Sequence, residues 1–335
     1  MKKINFAIIG FGRIGKRHAG HIQKIGNLVA VCDNDDSKKS EVKELDNVQF
    51  YSNILDLFKY QKNIDVVAIC TPNGLHAEHS IISLNNSCHV LCEKPFALNL
   101  IDCGNMMKAA ENNNKRLFVV KQNRFNPPIV KLKELIDNGN LGKIFSVQLN
   151  CFWNRNFDYY KNSWKGTLEL DGGTLFTQFS HFIDLLYYLI GDVSEVCGFS
   201  DNFNHKEVIE FEDSGVAAIK FHNGVIGTIN YTVNSFGKNF EGSITIFSEY
   251  GTIKVGGQYL NELEYQNVKG IEIKDLPKGN LPNNYGNYVG SMSNHGLVYE
   301  NLVDVINDKS SISASAMDGL KTVEIIEKLY NAIRK

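Results

Sequence analysis

The sequence feature that most constrains the fold is the glycine-rich stretch Gly10-Phe11-Gly12-Arg13-Ile14-Gly15. It follows a short apolar run from Ile4 to Ile9 and opens a helical pattern that continues to Ile25. A strand, three glycines at this spacing and a helix form a turn that binds the pyrophosphate of a dinucleotide, because glycine lets the backbone approach the phosphates at the helix N-terminus. The stretch therefore predicts a parallel α/β sheet that binds a dinucleotide.

An acidic residue follows at the expected distance. The next predicted strand, Leu28 to Cys32, ends at Asp33, about 20 residues beyond the glycines. A carboxylate there accepts hydrogen bonds from the adenosine ribose and repels a 2′-phosphate, which favours NAD over NADP. The alternative is a solvated acidic turn, since Asn34, Asp35 and Asp36 follow directly.

Strand and helix patterns alternate from Ile4 to Val120, which predicts a doubly wound parallel sheet. Two polar segments follow predicted strands: Thr71–His76, and the charge pair Glu93-Lys94 before Pro95. The carboxyl ends of such strands face the ligand crevice, and a charge pair beside a buried strand is costly unless it serves a purpose. Lys94 is therefore the first candidate for chemistry.

The second half has a different pattern, with alternating runs between Ile144 and Val255 that predict a large, mostly antiparallel sheet. We place the domain boundary after residue 122, which gives a dinucleotide-binding domain (1–122) and an α+β domain for substrate binding and oligomerisation (123–335). The final helix is a candidate to pack back on the first domain. The open sheet face is a candidate contact for a homodimer or homotetramer.

Two stretches of the second domain carry further candidates. A helix predicted from Thr174 onward would place Thr177, Gln178 and His181 on one side. A histidine on such a helix is either a structural core residue or a proton acceptor. The aromatic stretch 153–170 contains both tryptophans and is either a packed surface loop or a wall over the active site.

Composition excludes several classes. The 335 residues carry 35 basic and 37 acidic side chains, a formal net charge of -2, which argues against nucleic-acid and membrane-surface partners. Seven scattered cysteines without zinc-type spacing suggest reduced thiols in a cytoplasmic protein without a metal. We expect no signal peptide and no membrane-spanning segment.

Taken in order, Gly10–Gly15, Cys70–Asn73 with His76, and Glu93–Pro95 resemble the glucose–fructose oxidoreductase / inositol dehydrogenase (Gfo/Idh/MocA) family. Gly172-Gly173 followed by His181 and Asp184 resembles its second signature. The resemblance implies a Rossmann domain, NAD(P)-dependent hydride transfer at a sugar or polyol carbon, and catalytic roles for Lys94 and His181. Many members carry an aspartate where this chain has Thr177, so an Asp–His pair is not carried over.

The same resemblance implies the binding residues. For NAD these are Gly10, Phe11, Gly12, Arg13, Ile14, Gly15, Asp33, Thr71, Pro72, Asn73, His76, Glu93, Lys94, Gln122 and Trp164. For the substrate they are Lys94, Arg124, Arg155, Tyr159, Thr177, Gln178 and His181.

Three segments, Lys121–Pro127, Asn162–Thr167 and Asp171–His181, are similar to one branch of the family. That branch comprises the UDP-N-acetyl-2-amino-2-deoxyglucuronate (UDP-GlcNAcA) 3-dehydrogenases of lipopolysaccharide and O-antigen sugar biosynthesis. It implies a nucleotide-sugar substrate, NAD, and 2-oxoglutarate as a candidate oxidant of NADH. Two alternatives stay open: an inositol or free-sugar dehydrogenase of the same family, and a non-catalytic NAD-binding sensor.

Overall fold

The computed structural model describes residues 3–161, 163–284 and 289–334. Backbone contacts divide the chain into two compact units. The first unit runs through Val120 and also contains His295–Val323, while the second comprises Lys121–Asn294 and the chain from Glu324. Asn162 of the aromatic stretch and residues 285–288 lie outside the described residues.

The first unit is a parallel sheet with helices between its strands. Its strands are β1 (Asn5–Ile9), β2 (Asn27–Cys32), β3 (Gln49–Tyr51), β4 (Val66–Ile69), β5 (His89–Cys92) and β6 (Leu117–Val119). The intervening helices are α1 (Arg13–Ile25), α2 (Lys38–Val42), α3 (Ile54–Tyr60), α4 (His76–Asn85) and α5 (Leu100–Asn112). The order β3-β2-β1-β4-β5-β6, parallel throughout, confirms the predicted Rossmann-like fold.

The register of this sheet brings the predicted polar segments to one edge. Ile9 pairs with Cys32 and with Ile69, and Ile69 pairs with Cys92. The residues that follow these strands therefore emerge side by side. Apart from the edge strand β3, which is exposed or half-buried, the strands are mostly buried, as their apolar sequences predict for a sheet covered on both faces.

The second unit is a seven-stranded sheet with helices. Its strands are β7 (Ile144–Phe152), β8 (Val193–Asp201), β9 (Ser214–Phe221), β10 (Ile226–Thr232), β11 (Glu241–Ser248), β12 (Gly251–Gly256), β13 (Glu262–Val268), β14 (Pro282–Asn284) and β15 (Val289–Met292). Its helices are α6 (Pro127–Asp137), α7 (Phe157–Tyr160), α8 (Thr174–Thr177) and α9 (Ser180–Leu189). The sheet order is β13-β12-β11-β7-β10-β9-β8, antiparallel except for the β7–β10 pair, and β14 and β15 form a separate hairpin. This confirms the mostly antiparallel sheet.

Two helices follow: α10 (His295–Ile306) and α11 (Ala316–Ile333). Residues 295–323 were assigned to the second domain from the sequence, but here they belong to the first unit. The reason is packing of α10 on α1 and β1: the rings of Tyr299 and Phe6 lie 5.9 Å apart, and His18 contacts Tyr299. Within the described ranges, no helix is both long and apolar enough to cross a membrane.

The single helix predicted from Thr174 onward is wrong in detail. The chain forms two helices, α8 and α9, separated at Gln178 and Phe179. The Phe179 N–H donates to the Thr174 carbonyl, five residues back, at 3.3 Å, which marks a widened turn. Thr177 and His181 therefore do not share one regular helical face.

Candidate functional site

The glycine turn of the first unit requires glycine at two positions. Gly10 has φ of +90°, and a Cβ there would lie 2.7 Å from the Cys70 carbonyl carbon. A Cβ on Gly15 would lie 2.1 Å from the Gly10 carbonyl oxygen. Gly12 differs, because a Cβ there would meet no atom within 4 Å. The space over Gly12 fits the close approach of a pyrophosphate, and Arg13 and Ile14 begin the helix behind it.

Asp33 lies where the sequence placed it, at the end of β2 and beside this turn. Its Oδ2 accepts the Phe11 N–H at 2.5 Å, and its Oδ1 accepts the Asp35 N–H at 2.9 Å. The carboxylate is partly exposed, so it can still accept hydrogen bonds from ribose hydroxyls. The glycine turn and Asp33 therefore fit the pyrophosphate and the adenosine ribose of NAD.

His76 joins the ends of β4 and β5. Its Nε2 lies 2.9 Å from the Thr71 carbonyl oxygen and its Nδ1 lies 2.6 Å from the Pro95 carbonyl oxygen. Pro72 and Asn73 lie between Thr71 and α4, with Asn73 buried in a 3-10 turn. The predicted cofactor residues 71–76 are thus tied by one imidazole to the segment that follows Lys94.

The Glu93 side chain is buried in the interior of the first unit. Its Oε2 accepts the Lys94 N–H at 3.0 Å, and its Oε1 lies 2.8 Å from His18 Nε2 and 3.3 Å from His295 Nε2. His18 Nδ1 lies 2.6 Å from the Tyr299 hydroxyl. Burial alone would raise the pKa of Glu93, but the interactions with His18 and His295 hold it well below its usual range.

This buried group forms a complete hydrogen-bond chain. The Tyr299 hydroxyl is paired with His18 Nδ1, His18 Nε2 is paired with Glu93, and Glu93 also accepts from the Lys94 backbone. Burial raises the pKa of Tyr299 well above its usual value, so its hydroxyl stays protonated. The ligand atoms of His18, Glu93 and His295 lie within 4.8 Å of one another, a spacing that a metal ion would also accept.

In the second unit, Asp184 on α9 is buried and forms ion pairs with two cationic side chains. Arg124 donates to it from Nε and Nη2, each at 2.8 Å, and Lys121 Nζ lies 3.1 Å from it. Burial opposes ionisation of Asp184, but Arg124 and Lys121 outweigh burial and lower its pKa to about 2. Arg124, a predicted substrate residue, is thus engaged with Asp184 and lies over the Tyr188 ring.

His181 is buried one helical turn before Asp184. Its Nε2 lies 3.0 Å from Nε2 of Gln122, at the start of the 3-10 turn Gln122–Phe125. The sequence placed Gln122 among the cofactor residues, and the structure brings it to the candidate proton acceptor. Lys94 belongs to the first unit and His181 to the second.

Three predicted substrate residues meet in the second unit. Arg155 Nε donates to Gln178 Oε1 at 2.9 Å, and Gln178 Nε2 donates to the Tyr159 hydroxyl at 3.1 Å. Arg155 also donates to Asn239 Oδ1 at 3.1 Å and is buried. Trp164 is half-buried, and Lys165 Nζ lies 4.9 Å from its ring.

The aromatic stretch 153–170, which contains Arg155, Tyr159 and Trp164, is more than a surface loop. Trp153 is buried against Phe179 and Phe182, with ring centroids 5.5 and 5.4 Å away. Tyr160 is buried with Ile209 and Phe211. The stretch therefore belongs partly to the core of the second unit.

Thr177 stands where many family members carry an aspartate, and a carboxylate lies beside it nonetheless. The Thr177 hydroxyl donates to Asp171, both to its carboxylate and to its carbonyl oxygen. Asp171 is buried and also accepts the Gly166 N–H at 2.8 Å. A buried carboxylate therefore contacts Thr177 within the second unit.

Sequence reasoning missed His18, His295 and Tyr299. A usable signal existed, because His18 lies three residues after Gly15 on the buried face of α1, and His295 and Tyr299 are one turn apart on α10. Polar side chains on the buried stripe of a helix require partners, and these three find one another and Glu93.

Comparison with known proteins identifies both halves of the chain. A family model described as an oxidoreductase family with an NAD-binding Rossmann fold matches residues 4–121. A model of the GFO/IDH/MocA C-terminal domain matches residues 129–254.

Solved structures match along the whole chain. The WlbA dehydrogenase from Chromobacterium violaceum, in complex with NADH and UDP-GlcNAcA, has a TM-score of 0.91 and 34% identity, covering 100% of this chain and 94% of that one. The WlbA dehydrogenase from Bordetella pertussis, in complex with the same two ligands, has a TM-score of 0.89 and 32% identity, covering 100% and 97%.

Among curated relatives, the 1-carboxy-3-chloro-3,4-dihydroxycyclohexa-1,5-diene dehydrogenase of Comamonas testosteroni is 34% identical over 61% of this chain. That match spans 51% of the relative, about half of its length. The two family models and the match to the folds of both units show that the chain belongs to the Gfo/Idh/MocA family of NAD-binding oxidoreductases.

Proposed function

We propose that the protein is an NAD-dependent dehydrogenase that oxidises the C3 hydroxyl of a UDP-GlcNAcA-type sugar nucleotide to the 3-keto sugar. The observation that carries this proposal is the whole-chain likeness to WlbA dehydrogenases whose crystals hold both NADH and UDP-GlcNAcA. The glycine turn and Asp33 fit the NAD cofactor that such a dehydrogenase requires. Lipopolysaccharide or O-antigen sugar synthesis is the proposed setting.

The chemistry divides between the cofactor and this chain. Held by the glycine turn and Asp33, NAD would supply the two-electron acceptor for the C3 hydride. His181 or Lys94 takes the C3 hydroxyl proton, and the electron pair of the O–H bond then forms the second bond of the ketone. A positioned base that accepts the proton in the transition state typically contributes a factor of about 10² to 10⁴ in rate.

The second unit offers polar groups for the sugar nucleotide. We propose that Tyr159, Gln178 and Thr177 contact the sugar. Arg155 holds Gln178 and, with Lys165 nearby, supplies positive charge for a carboxylate or a diphosphate.

The direct test is product analysis. The protein is incubated with NAD and UDP-GlcNAcA, with and without 2-oxoglutarate, and the 3-keto product is identified by mass. Lys94→Met and His181→Asn are assayed beside wild type, with folding checked by circular dichroism. Wild-type turnover in both variants would refute the residue assignment. Formation of the product only with 2-oxoglutarate would support reoxidation of NADH on the enzyme.

The effect of UDP on stability, together with a panel of sugar substrates, distinguishes the three candidate functions. If the substrate is a UDP-sugar, UDP at 100 times its Kd raises the free energy of unfolding by about 2.7 kcal/mol. An inositol or free-sugar dehydrogenase would gain nothing from UDP and would reduce NAD with its own polyol. An NAD-binding sensor would show no change in NADH absorbance across the whole panel of sugars.

A further inference from the structure

We propose that Glu93 is a positioning residue for the reaction: its buried carboxylate, held by His18 and His295, fixes the backbone of Lys94 relative to the glycine turn. Lys94 is a candidate proton acceptor only under the proposed function, on which this inference rests. Glu93 thereby has a role toward Lys94 in place of the cofactor contact expected from the sequence.

The Lys94 backbone is held by the side chain of the residue before it. Lys94 is half-buried, whereas Glu93, Pro95 and Phe96 around it are buried. The Lys94 N–H donates to Glu93 Oε2 at 3.0 Å. The direction in which the Lys94 side chain leaves the backbone therefore depends on a contact that Glu93 makes from the interior.

The two oxygens of the Glu93 carboxylate have different partners. Oε2 accepts the Lys94 N–H, while Oε1 lies 2.8 Å from His18 Nε2 and 3.3 Å from His295 Nε2. Glu93 is 5% exposed, and His18 and His295 are 0% and 1% exposed. Because all three side chains are buried, bulk water does not compete for these contacts.

The two imidazoles also keep Glu93 ionised. Burial opposes its charge, but the contacts with His18 and His295 hold the pKa of Glu93 well below its usual range. An ionised carboxylate accepts a hydrogen bond roughly twice as strongly as a neutral oxygen does. The histidines therefore strengthen the contact between Glu93 and the Lys94 backbone.

The same contacts connect Lys94 to the glycine turn. His18 lies on α1, three residues after Gly15, and α1 begins directly after Gly12. Glu93 thus joins the end of β5 to the helix that follows the turn. His295 is the first residue of α10, so the segment 295–323, which the sequence assigned to the second domain, contributes to this support within the first unit.

The backbone is held on the other side of Lys94 as well. The Pro95 carbonyl oxygen lies 2.6 Å from His76 Nδ1, and His76 Nε2 lies 2.9 Å from the Thr71 carbonyl oxygen. The residues before and after Lys94 are therefore both held by buried side chains. Such support matters for rate, because displacing a reacting group by about 1 Å can cost a factor of about 10².

Glu93→Met is the informative variant, because it keeps a side chain of similar length but removes both acceptor oxygens. We expect the Lys94 amide to exchange its hydrogen about tenfold faster or more. We expect kcat to fall about tenfold, while KM for the sugar and the Kd of NADH stay within about twofold. Glu93→Gln keeps an oxygen that can accept the Lys94 N–H, so it should restore most of kcat and most of the amide protection.

The support from α10 is tested with a matched pair of histidines. His295→Leu removes one of the two imidazoles beside Glu93 Oε1, and we expect a lower kcat and faster exchange of the Lys94 amide. His21→Leu is the control: the His21 ring stacks on that of His295 at 6.1 Å, but among the described residues no contact of His21 with Glu93 is found. We expect His21→Leu to leave both quantities at wild-type values.

The Lys94 amide is followed by hydrogen–deuterium exchange and mass spectrometry, which needs no substrate, and kcat is measured with whichever sugar the wild type oxidises. If the wild type oxidises no sugar, the proposed function fails, and the exchange of the Lys94 amide still decides whether Glu93 holds it. If Glu93→Met does not fold, Glu93→Gln and His295→Leu carry the test. Unchanged exchange of the Lys94 amide or unchanged kcat in Glu93→Met overturns the proposal, as do equal losses of kcat in His295→Leu and His21→Leu. NADH binding weakened in Glu93→Met, with wild-type kcat at saturating NAD, would return Glu93 to the cofactor contact.

Discussion

Arg124 and Asp184 form a buried ion pair in the second unit, with side chains that are 5% and 2% exposed. Arg124 donates from Nε to Oδ2 and from Nη2 to Oδ1, both at 2.8 Å, and Lys121 contacts the same carboxylate. All three side chains are nearly inaccessible. The helix that carries His181 is thereby fixed to the chain segment that carries Gln122.

Replacing Asp184, the anion of this cluster, should strongly destabilise the folded protein. Asp184→Asn leaves two buried cations without their counter-charge, and we expect a loss of about 3–5 kcal/mol in the free energy of unfolding. Urea denaturation measures it. The control is Glu195→Gln, which removes the partner of Lys220 in an exposed pair and should change stability by no more than about 0.5 kcal/mol. Equal effects of the two substitutions would contradict the anchoring role.

The same carboxylate predicts an acid-dependent stability. The folded pKa of Asp184, about 2, lies below its ordinary value of 3.8. A depressed folded pKa means that the contribution is fully present above the unfolded pKa and is lost as the pH falls from about 4 towards 2. Unfolding free energies measured across this window should fall less steeply in Asp184→Asn than in wild type. Parallel slopes would show that Asp184 is not the group responsible.

The glycine turn predicts a separation of cofactor binding from folding. Gly12→Ala meets no protein atom, so we expect a melting temperature close to wild type but NADH binding weakened about tenfold or more. Gly20→Ala is the matched control: Gly20 is an exposed glycine in α1 with open space around it. It should leave NADH binding unchanged and stabilise the helix by up to about 1 kcal/mol. Fluorescence titration with NADH measures the binding, and unaltered affinity in Gly12→Ala would count against the predicted pyrophosphate position.

The buried hydrogen-bond chain through Glu93 can be tested with two tyrosines. Tyr299→Phe leaves His18 Nδ1 without its hydrogen-bond partner, and we expect a loss of about 1–3 kcal/mol in the free energy of unfolding. Tyr160 is similarly buried, but its hydroxyl has no hydrogen-bond partner among the described residues. Tyr160→Phe should therefore be neutral or slightly stabilising. If urea denaturation gives the same change for both, the Tyr299 hydroxyl does not support the chain.

The outward face of the seven-stranded sheet predicts self-association. Phe199 and Val216 are direct cross-strand neighbours and are 81% and 50% exposed, which is unusual for adjacent apolar side chains on a monomer. We expect Phe199→Glu to lower the mass measured by light scattering towards the 37.7 kDa of one chain. Ile101→Glu places the same charge at an equally exposed site in the first unit, 77% exposed, and should leave the mass unchanged. If light scattering gives the wild-type protein the mass of a single chain, 37.7 kDa, this face does not mediate self-association.

The sequence by itself determined those features that depend on local backbone requirements. The glycines at 10 and 15 are needed because a Cβ would collide with the neighbouring backbone, and that need is visible as a motif. The apolar strands and their ends were visible for a similar reason. In a parallel sheet, residues that follow neighbouring strands emerge at one edge, so Asp33, Thr71 and Glu93 could be grouped without coordinates.

Only the tertiary structure decided which distant side chains meet. Gln122 and His181 are 59 residues apart, and Glu93 reaches His18 across 75 residues. No periodicity encodes such pairs, because they depend on where separate chain segments cross. The break between α8 and α9 was hidden for a related reason: the run from Thr174 to Leu189 has a helical pattern and contains no glycine or proline that would mark a break. The core around Phe179 and Trp153 fixes the widened turn, and that packing exists only once the second unit has folded.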